Sequence, residues 1–146
     1  MTYCVFRLGD HRLAIDADRV TEVAGAAALT PVLGAPRGVA GVIALHGEVL
    51  TALDLRQWFG LPAADGAATA TVVLRDAGEP VCVLVDQVCD VLALDSSRRE
   101  PVPTTLEKGA RSVVAGAYQL DDGVVLEIEA AALVESVATD DRTERR

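Results

Sequence analysis

Short apolar runs separated by tight turns fill most of the 146-residue chain. The turns are rich in Gly and Asp, and runs of this length bounded by such turns are typical of β-hairpins. The sequence predicts four hairpins, formed by Tyr3 to Leu8 with Arg12 to Ile15, Val39 to Leu45 with Val49 to Leu53, Thr69 to Arg75 with Pro80 to Val85, and Val113 to Leu120 with Val124 to Ile128. Regular hairpins without long helical patterns favour a closed β architecture, a barrel or a sandwich, over alternating β and α units.

Two segments outside the hairpins predict single helical turns. Asp54 can accept backbone N–H bonds at the start of a turn over Leu55 to Phe59. Asp16 to Val20 predicts a second turn, which leads into a strand over Thr21 to Gly25.

The C-terminal half adds a linker, a helix and a tail. The Ala-rich stretch Leu61 to Ala70 is predicted to be an exposed linker, and the Ala- and Glu-rich stretch Ile128 to Val137 a terminal helix. We expect a single domain with two subdomains over residues 1–138. We expect the polar tail over residues 139–146 to fray, because it has no apolar anchor.

The acidic composition limits the classes of partner. Thirteen Lys and Arg residues against 22 Asp and Glu residues give a formal net charge of -9, which repels phosphate backbones and argues against nucleic acid. Apolar stretches are interrupted by Asp86, Asp90 and glycines before the roughly 20 residues needed to cross a bilayer, so we expect no membrane insertion. Three cysteines leave one unpaired in any disulfide scheme, which favours a reducing cytoplasm.

The sequence contains no convincing catalytic or metal-binding motif. His11 and His46 fall in predicted turns, and no C-x-x-C or H-x-x-x-H spacing is present, so we expect neither a metal nor a cofactor. No Ser lies in a G-x-S-x-G elbow, and Cys82 and Cys89 lie in apolar strand sequence that is typical of small buried side chains. We therefore predict that the chain is not an enzyme.

Asp86 is the polar residue whose position is hardest to explain. It interrupts the apolar run from Val83 to Val88, and a buried carboxylate is unfavourable unless it accepts several hydrogen bonds or pairs with a cation. Two interpretations remain open, a structural carboxylate that binds backbone N–H groups and a functional one.

Four stretches, in the same order along the chain, resemble the sequence motifs of one family. Gly41 to Leu61 (GVIALHGEVLTALDLRQWFGL) resembles the signature GVxNLRGxxxPxxDLRxxFGL, and Phe6 to Val23 resembles the opening FxLGxExxxIxxxxVxEV. Val81 to Leu94 resembles VxxLVDxVxxVxxL, and Val114 to Ile128 resembles the ending YxxGxxxxxxxxxxLLD. These motifs are those of the CheW-type chemotaxis adaptors, and the resemblance covers about residues 3–137.

The resemblance implies a mainly β fold with two intertwined five-stranded SH3-like β-barrels that share a hydrophobic seam, and short helices that include a C-terminal one. It implies a non-enzymatic scaffold at cytoplasmic receptor arrays, which couples the tip of a methyl-accepting chemoreceptor to the regulatory domain of a CheA-type histidine kinase. An apolar helical face would pack into a groove of the adaptor. For that receptor-binding groove the resemblance points to Val20, Glu22, Gly41, His46, Val88 and Val91.

The chain departs from the family signature at the tip of the second hairpin. Where the family has N-L-R-G, this sequence has Ala44-Leu45-His46-Gly47. A titratable ring thus replaces a permanent cation, which the resemblance pairs with Glu22. Two alternatives stay open, a divergent adaptor and a ligand-sensing module with a pocket in the seam, either of them in a motility, pilus or developmental signalling array.

Overall fold

The chain folds into two six-stranded sheets. The computed structural model describes residues 1–35, 38–62, 70–75 and 80–135. The strands are β1 (Thr2–Leu8), β2 (His11–Asp16), β3 (Val20–Gly25), β4 (Leu29–Thr30), β5 (Val39–Leu45), β6 (Glu48–Leu53), β7 (Ala70–Arg75), β8 (Pro80–Val85), β9 (Gln87–Ala93), β10 (Arg99–Glu100), β11 (Val114–Leu120) and β12 (Gly123–Ile128). The described part also contains the helices α1 (Lys108–Arg111) and α2 (residues 130–135), and 3₁₀ turns at Ala17–Arg19, Leu55–Gln57 and Ser96–Arg98.

The two sheets have matching strand orders. The first barrel runs β10-β11-β12-β2-β1-β9, and the second, read in the corresponding direction, runs β4-β5-β6-β8-β7-β3. Each sheet joins its two hairpins through one parallel pair, β12 with β2 and β6 with β8. Five strands of each sheet have six or seven residues and the sixth has two. The predicted fold class is confirmed, with a two-residue strand added to each barrel.

The chain crosses between the barrels twice, because β3 to β8 form the second barrel as one continuous segment inserted between β2 and β9 of the first. The strands that follow the two crossings, β3 and β9, are called the exchanged strands. After β2, the chain leaves the first barrel and β3 pairs with β7 of the second. After β8, the chain leaves the second barrel and β9 pairs with β1 of the first. Asp86 is the residue between β8 and β9, so it lies where the chain crosses between the barrels.

A contact across the second sheet demonstrates its closure. Glu22 lies on the edge strand β3, and His46 lies in the turn after β5, four strands away in the sheet order. The two side chains nevertheless meet, which requires the sheet to curl into a barrel. In the first barrel, the edge strands β9 and β10 are joined by the short segment 94–98, which holds those edges near each other.

The apolar core has three parts. The largest cluster takes Phe6 and Leu13 from the first barrel and Leu53 and Val72 from the second, so the predicted seam between the barrels is present. A second cluster around Tyr3 and Tyr118 lies in the first barrel. A third cluster, which includes Ile43, Leu50 and Cys82, lies in the second barrel.

All four predicted hairpins pair antiparallel, as β1 with β2, β5 with β6, β7 with β8 and β11 with β12. The helical turn after Asp54 is confirmed, because the Asp54 carboxylate accepts the Arg56 N–H at 3.0 Å. The terminal helix is present over residues 130–135, whereas Ile128 belongs to β12. Most of the predicted linker, the end of the predicted helix and the predicted frayed tail lie outside the described residues.

The predicted strand over Pro80 to Val85 is confirmed as β8. The interpretation of Asp86 as a polar interruption within one longer strand was wrong, because a separate strand, β9, begins at Gln87. The bend at Asp86 lets the chain pass from one barrel to the other. The sequence prediction also missed β4, β10 and α1.

Candidate functional site

The centre of the candidate site is a polar pair on the second barrel. His46 Nε2 lies 2.7 Å from Glu22 Oε2. The His46 side chain is 72% exposed and that of Glu22 is 38% exposed, so the pair is accessible to a partner. The proximity that the family resemblance implied is therefore confirmed.

The tight turn between β5 and β6 presents His46 to solvent. Leu45 pairs with Glu48, so His46 and Gly47 form a two-residue turn. Both have positive φ, 53° at His46 and 77° at Gly47, which is the pattern of the type I′ turns that suit the twist of hairpins. Histidine is among the non-glycine residues that tolerate this backbone region, so the local sequence explains how the ring is held.

The predicted valines lie on strands of both barrels. Val20 on β3 and Val88 on β9 are partly buried, and both pack against the core cluster that fills the seam. Val91, three residues farther along β9, is 60% exposed. The structure thus places these residues on the two exchanged strands, which border the seam from opposite barrels.

Gly41 has a different environment. It is buried in β5, and a Cβ at this position would collide with the carbonyl oxygen of Thr30 in β4. Glycine therefore permits the close approach of β4 to β5. The structure gives Gly41 a packing role in the second barrel and does not bring it to the exposed surface with His46 and Glu22.

Asp86 forms a junction that the sequence prediction identified only in part. Its carboxylate accepts the Gly9 N–H at 2.7 Å, and Arg56 Nη2 lies 2.7 Å from its Oδ1 and 2.6 Å from its Oδ2. Gly9 lies in the β1–β2 turn of the first barrel, and Arg56 lies in the 3₁₀ turn after β6 of the second. The structural interpretation of Asp86 as a backbone-binding carboxylate is confirmed.

The pKa of the Asp86 carboxyl group is lowered by these contacts. Partial burial alone would raise the pKa of Asp86, but the Gly9 N–H and the Arg56 guanidinium outweigh it and hold the pKa below its usual value. Arg56 is absent from the set of predicted site residues. The signal that could have identified it is the D-L-R stretch, since an isolated carboxylate in apolar sequence requires a cation somewhere in the fold.

The cysteines do not provide a nucleophile in the barrel interiors. Cys82 is fully buried, and burial raises the pKa of its thiol to about 11. Cys4 is also buried, and its thiol pKa is raised by burial and by the nearby Cys89. Cys89 itself is exposed on β9, so the prediction that it is a buried side chain was wrong.

One hollow and the metal-binding potential of the described residues give no second candidate site. A hollow of about 150 Å³ at one end of the first barrel is lined partly by Leu94, Asp95, Arg98 and Tyr118, and ligand pockets are usually at least twice as large. The described residues include no group of three or more His, Cys, Asp or Glu side chains that could hold a metal ion. They also include no helix long and apolar enough to span a bilayer.

Comparisons with known proteins agree with this geometry. The family model described as CheW-like domain matches residues 2–138. The chain is 29% identical over 125 residues to the chemotaxis protein CheW of Rhizobium meliloti, with 85% of this chain and 81% of that protein covered. It is 26% identical over 135 residues to the chemotaxis protein CheW of Klebsiella aerogenes, with coverages of 92% and 81%.

A solved structure also resembles most of this chain. The crystal structure of the scaffolding protein TtCheW from Thermoanaerobacter tengcongensis superposes with a TM-score of 0.75 at 25% identity, and 87% of each chain is covered. The chain therefore belongs to the CheW-like domain family.

Proposed function

We propose that this chain is a non-enzymatic adaptor that couples the cytoplasmic tip of a methyl-accepting chemoreceptor to the regulatory domain of a CheA-type histidine kinase. Family membership over residues 2–138 supports the adaptor class. Further support comes from relatives named as chemotaxis proteins and from a structural neighbour titled a scaffolding protein. The proposed place of action is a receptor array in the cytoplasm.

The observation that carries the receptor half of the proposal is the exposed pair formed by Glu22 and His46. Val20 and Val88 lie on the exchanged strands and border the seam, and Val91 adds exposed apolar surface on β9. A helical tip with an apolar face would pack on such valines. A polar group on the tip would contact the Glu22–His46 pair. Such a polar contact determines the orientation of the bound tip more than the binding affinity.

The kinase half of the proposal uses a separate surface. We assign it to the exposed ends of the barrels, where a small contact gives modest affinity between two isolated proteins. An array holds many copies near one another, so several weak contacts together give a stable assembly. This arrangement explains why a scaffold without an active site suffices for coupling.

The geometry favours an adaptor over a ligand-sensing module. A sensor in the seam requires a cavity with convergent polar groups. Buried apolar side chains from both barrels, such as Phe6 and Leu53, pack together in the seam. Among the described residues, the polar side chain that is fully buried is Thr71, and its hydroxyl donates to the Gly25 carbonyl oxygen within the second barrel.

The test is a three-component reconstitution with the chemoreceptor tip fragment and the kinase regulatory domain from the same organism. Size-exclusion chromatography should show a complex that contains all three proteins. Omission of this chain should leave the receptor fragment and the kinase domain in separate peaks. Binding of neither partner at concentrations up to about 1 mM, the weak limit for specific contacts, would contradict the proposal.

A further inference from the structure

The exchanged strand β9 is joined to one neighbouring strand, through a ladder that contains a register shift. It is the edge strand of the first sheet and pairs only with β1 in the strand order of the described chain. The β1–β9 register shifts between Val5 and Phe6, where Phe6 pairs with Val88 and Val5 with Asp90. A β-bulge loosens the ladder locally, so pairing with β1 holds the beginning of β9 less firmly than a regular ladder would.

Asp86, the residue just before β9, makes further contacts that hold the beginning of this strand. The Asp86 N–H donates to the Arg7 carbonyl oxygen at 2.9 Å, and its carboxylate accepts the Gly9 N–H. These bonds hold Asp86 to the first barrel. Arg56 contacts both carboxylate oxygens from the second barrel, so the same side chain is held from both sides.

The Arg56 guanidinium is itself well held. Its side chain is 14% exposed, and Nη1 donates to the Pro62 carbonyl oxygen at 3.3 Å. The Asp54 carboxylate caps the turn that contains Arg56. An ion pair that is largely shielded and bonded on both partners is geometrically specific, unlike a typical surface pair.

We propose that Arg56 and Asp86 are positioning residues, whose ion pair fixes the beginning of β9, and with it Val88 and Val91, relative to the second barrel. The consequence for receptor binding rests on the proposed function. In the proposed receptor site, Glu22 and His46 lie on the second barrel, whereas Val88 and Val91 lie on the first. The pair sets the relative placement of the two halves of the proposed receptor site. Neither residue needs to contact the receptor.

The experiment first measures the position of β9 without any partner. One spin label is attached to the native Cys89, which is exposed on β9. The second is attached to the thiol introduced by Val49→Cys, because Val49 on β6 is 68% exposed. Cys4 and Cys82 are buried and should stay unlabelled. Double electron–electron resonance should give one narrow distance distribution for the chain with its native Arg56 and Asp86.

Four substitutions in this labelled chain test the ion pair. Asp86→Ala and Arg56→Gln should broaden or shift the distance distribution, and Arg56→Lys, which keeps the cation, should restore most of its narrowness. Arg12→Gln is the matched control, because it breaks a 2.8 Å contact with Asp122 that lies within the first barrel. If Asp86→Ala does not fold, Arg56→Gln decides the test, since it leaves the Gly9 bond in place. Unchanged distributions in Arg56→Gln would overturn the proposal.

A second measurement connects the Arg56–Asp86 pair to receptor binding. It determines the affinity of the same variants, without spin labels, for the chemoreceptor tip fragment. Arg56→Gln should lower affinity by about 2- to 30-fold, the range for residues that act without touching the ligand. Arg56→Lys should recover most of that loss, and Arg12→Gln should bind as the native chain does. A broadened distribution with undiminished tip affinity would refute the link to the receptor site. If the native chain does not bind the tip at all, the proposed function fails, while the distance distributions still decide whether the pair fixes β9.

Discussion

His46 Nε2 and Glu22 Oε2 lie 2.7 Å apart, although their strands are four positions apart in the sheet order of the second barrel. The contact joins the tip of one hairpin to an exchanged strand, and it does so on an exposed surface. His46 and Glu22 therefore bring a hydrogen-bonded polar pair to the surface that we propose for the receptor tip.

Substitution of His46 separates its contact with Glu22 from its role in the turn. His46→Asn removes the ring that contacts Glu22 but suits the type I′ turn, in which Asn-Gly is favoured, so stability should be kept. Tip affinity should fall by about 1.5- to 5-fold, as expected for the loss of an exposed polar pair. Isothermal titration calorimetry with the receptor tip and urea unfolding measure the two effects.

Gly41→Ala should lower the free energy of unfolding. The new Cβ meets the Thr30 carbonyl oxygen, so β4 must move away from β5, and overpacking of this kind costs about 1–3 kcal/mol. Gly25→Ala is the control, because a Cβ there has no neighbour within 4 Å. Urea unfolding of both variants checks this, and equal stability of the two would contradict the packing role of Gly41.

The Arg56–Asp86 pair predicts a specific response to acid. Because the pKa of Asp86 is held below its usual value, the contribution of the folded carboxylate to stability is fully present above the unfolded pKa of about 3.9 and is lost as pH falls through the folded pKa. Asp86→Asn lacks this titration. The difference in unfolding free energy between the native chain and Asp86→Asn should be constant from about pH 7 to 5 and should shrink below about pH 4. A difference that stays constant down to about pH 2 would contradict the role of the charged carboxylate.

The local parts of the fold could be predicted from sequence. The hairpin turns at His46-Gly47 and before Gly123, and the Asp54 cap, follow from residues that are adjacent in the chain. Each depends on backbone preferences of Gly and Asp that act within a few residues. These elements therefore appeared where the sequence predicted them.

The parts that were missed depend on contacts distant in sequence. Strand β9 was hidden because Asp86 resembled a polar interruption in one apolar run, and only the exchange between barrels explains the bend. The partner of Asp86 is Arg56, 30 residues away, and no local pattern identifies it. Strands of two residues, such as β4 and β10, are too short to leave a periodic signal. Cys89 is exposed at the position that the β1–β9 register skips between Val88 and Asp90, and this pairing joins strands that are distant in sequence.

The purified chain should neither hydrolyse ATP nor accept phosphate from the kinase. The expectation follows from the proposed adaptor function and from the sequence, which contains no Walker or nucleophile motif. Incubation of the kinase, radiolabelled ATP and this chain should label the kinase alone. Stable label on this chain would contradict a purely scaffolding role.

The central claim is that the surface around Glu22 and His46 binds the receptor tip, and a charge reversal tests it most directly. Glu22→Lys reverses the charge beside His46 at the proposed site, whereas Asp122→Lys reverses an acidic residue of the first barrel that pairs with Arg12 at 2.8 Å and is 73% exposed. Titration with the tip fragment should show about a 10-fold loss of affinity for Glu22→Lys. Asp122→Lys should change affinity by less than about 2-fold, as a remote surface charge does. No loss of tip affinity in Glu22→Lys, or an equal loss in both variants, would contradict the assignment of the receptor site to this surface.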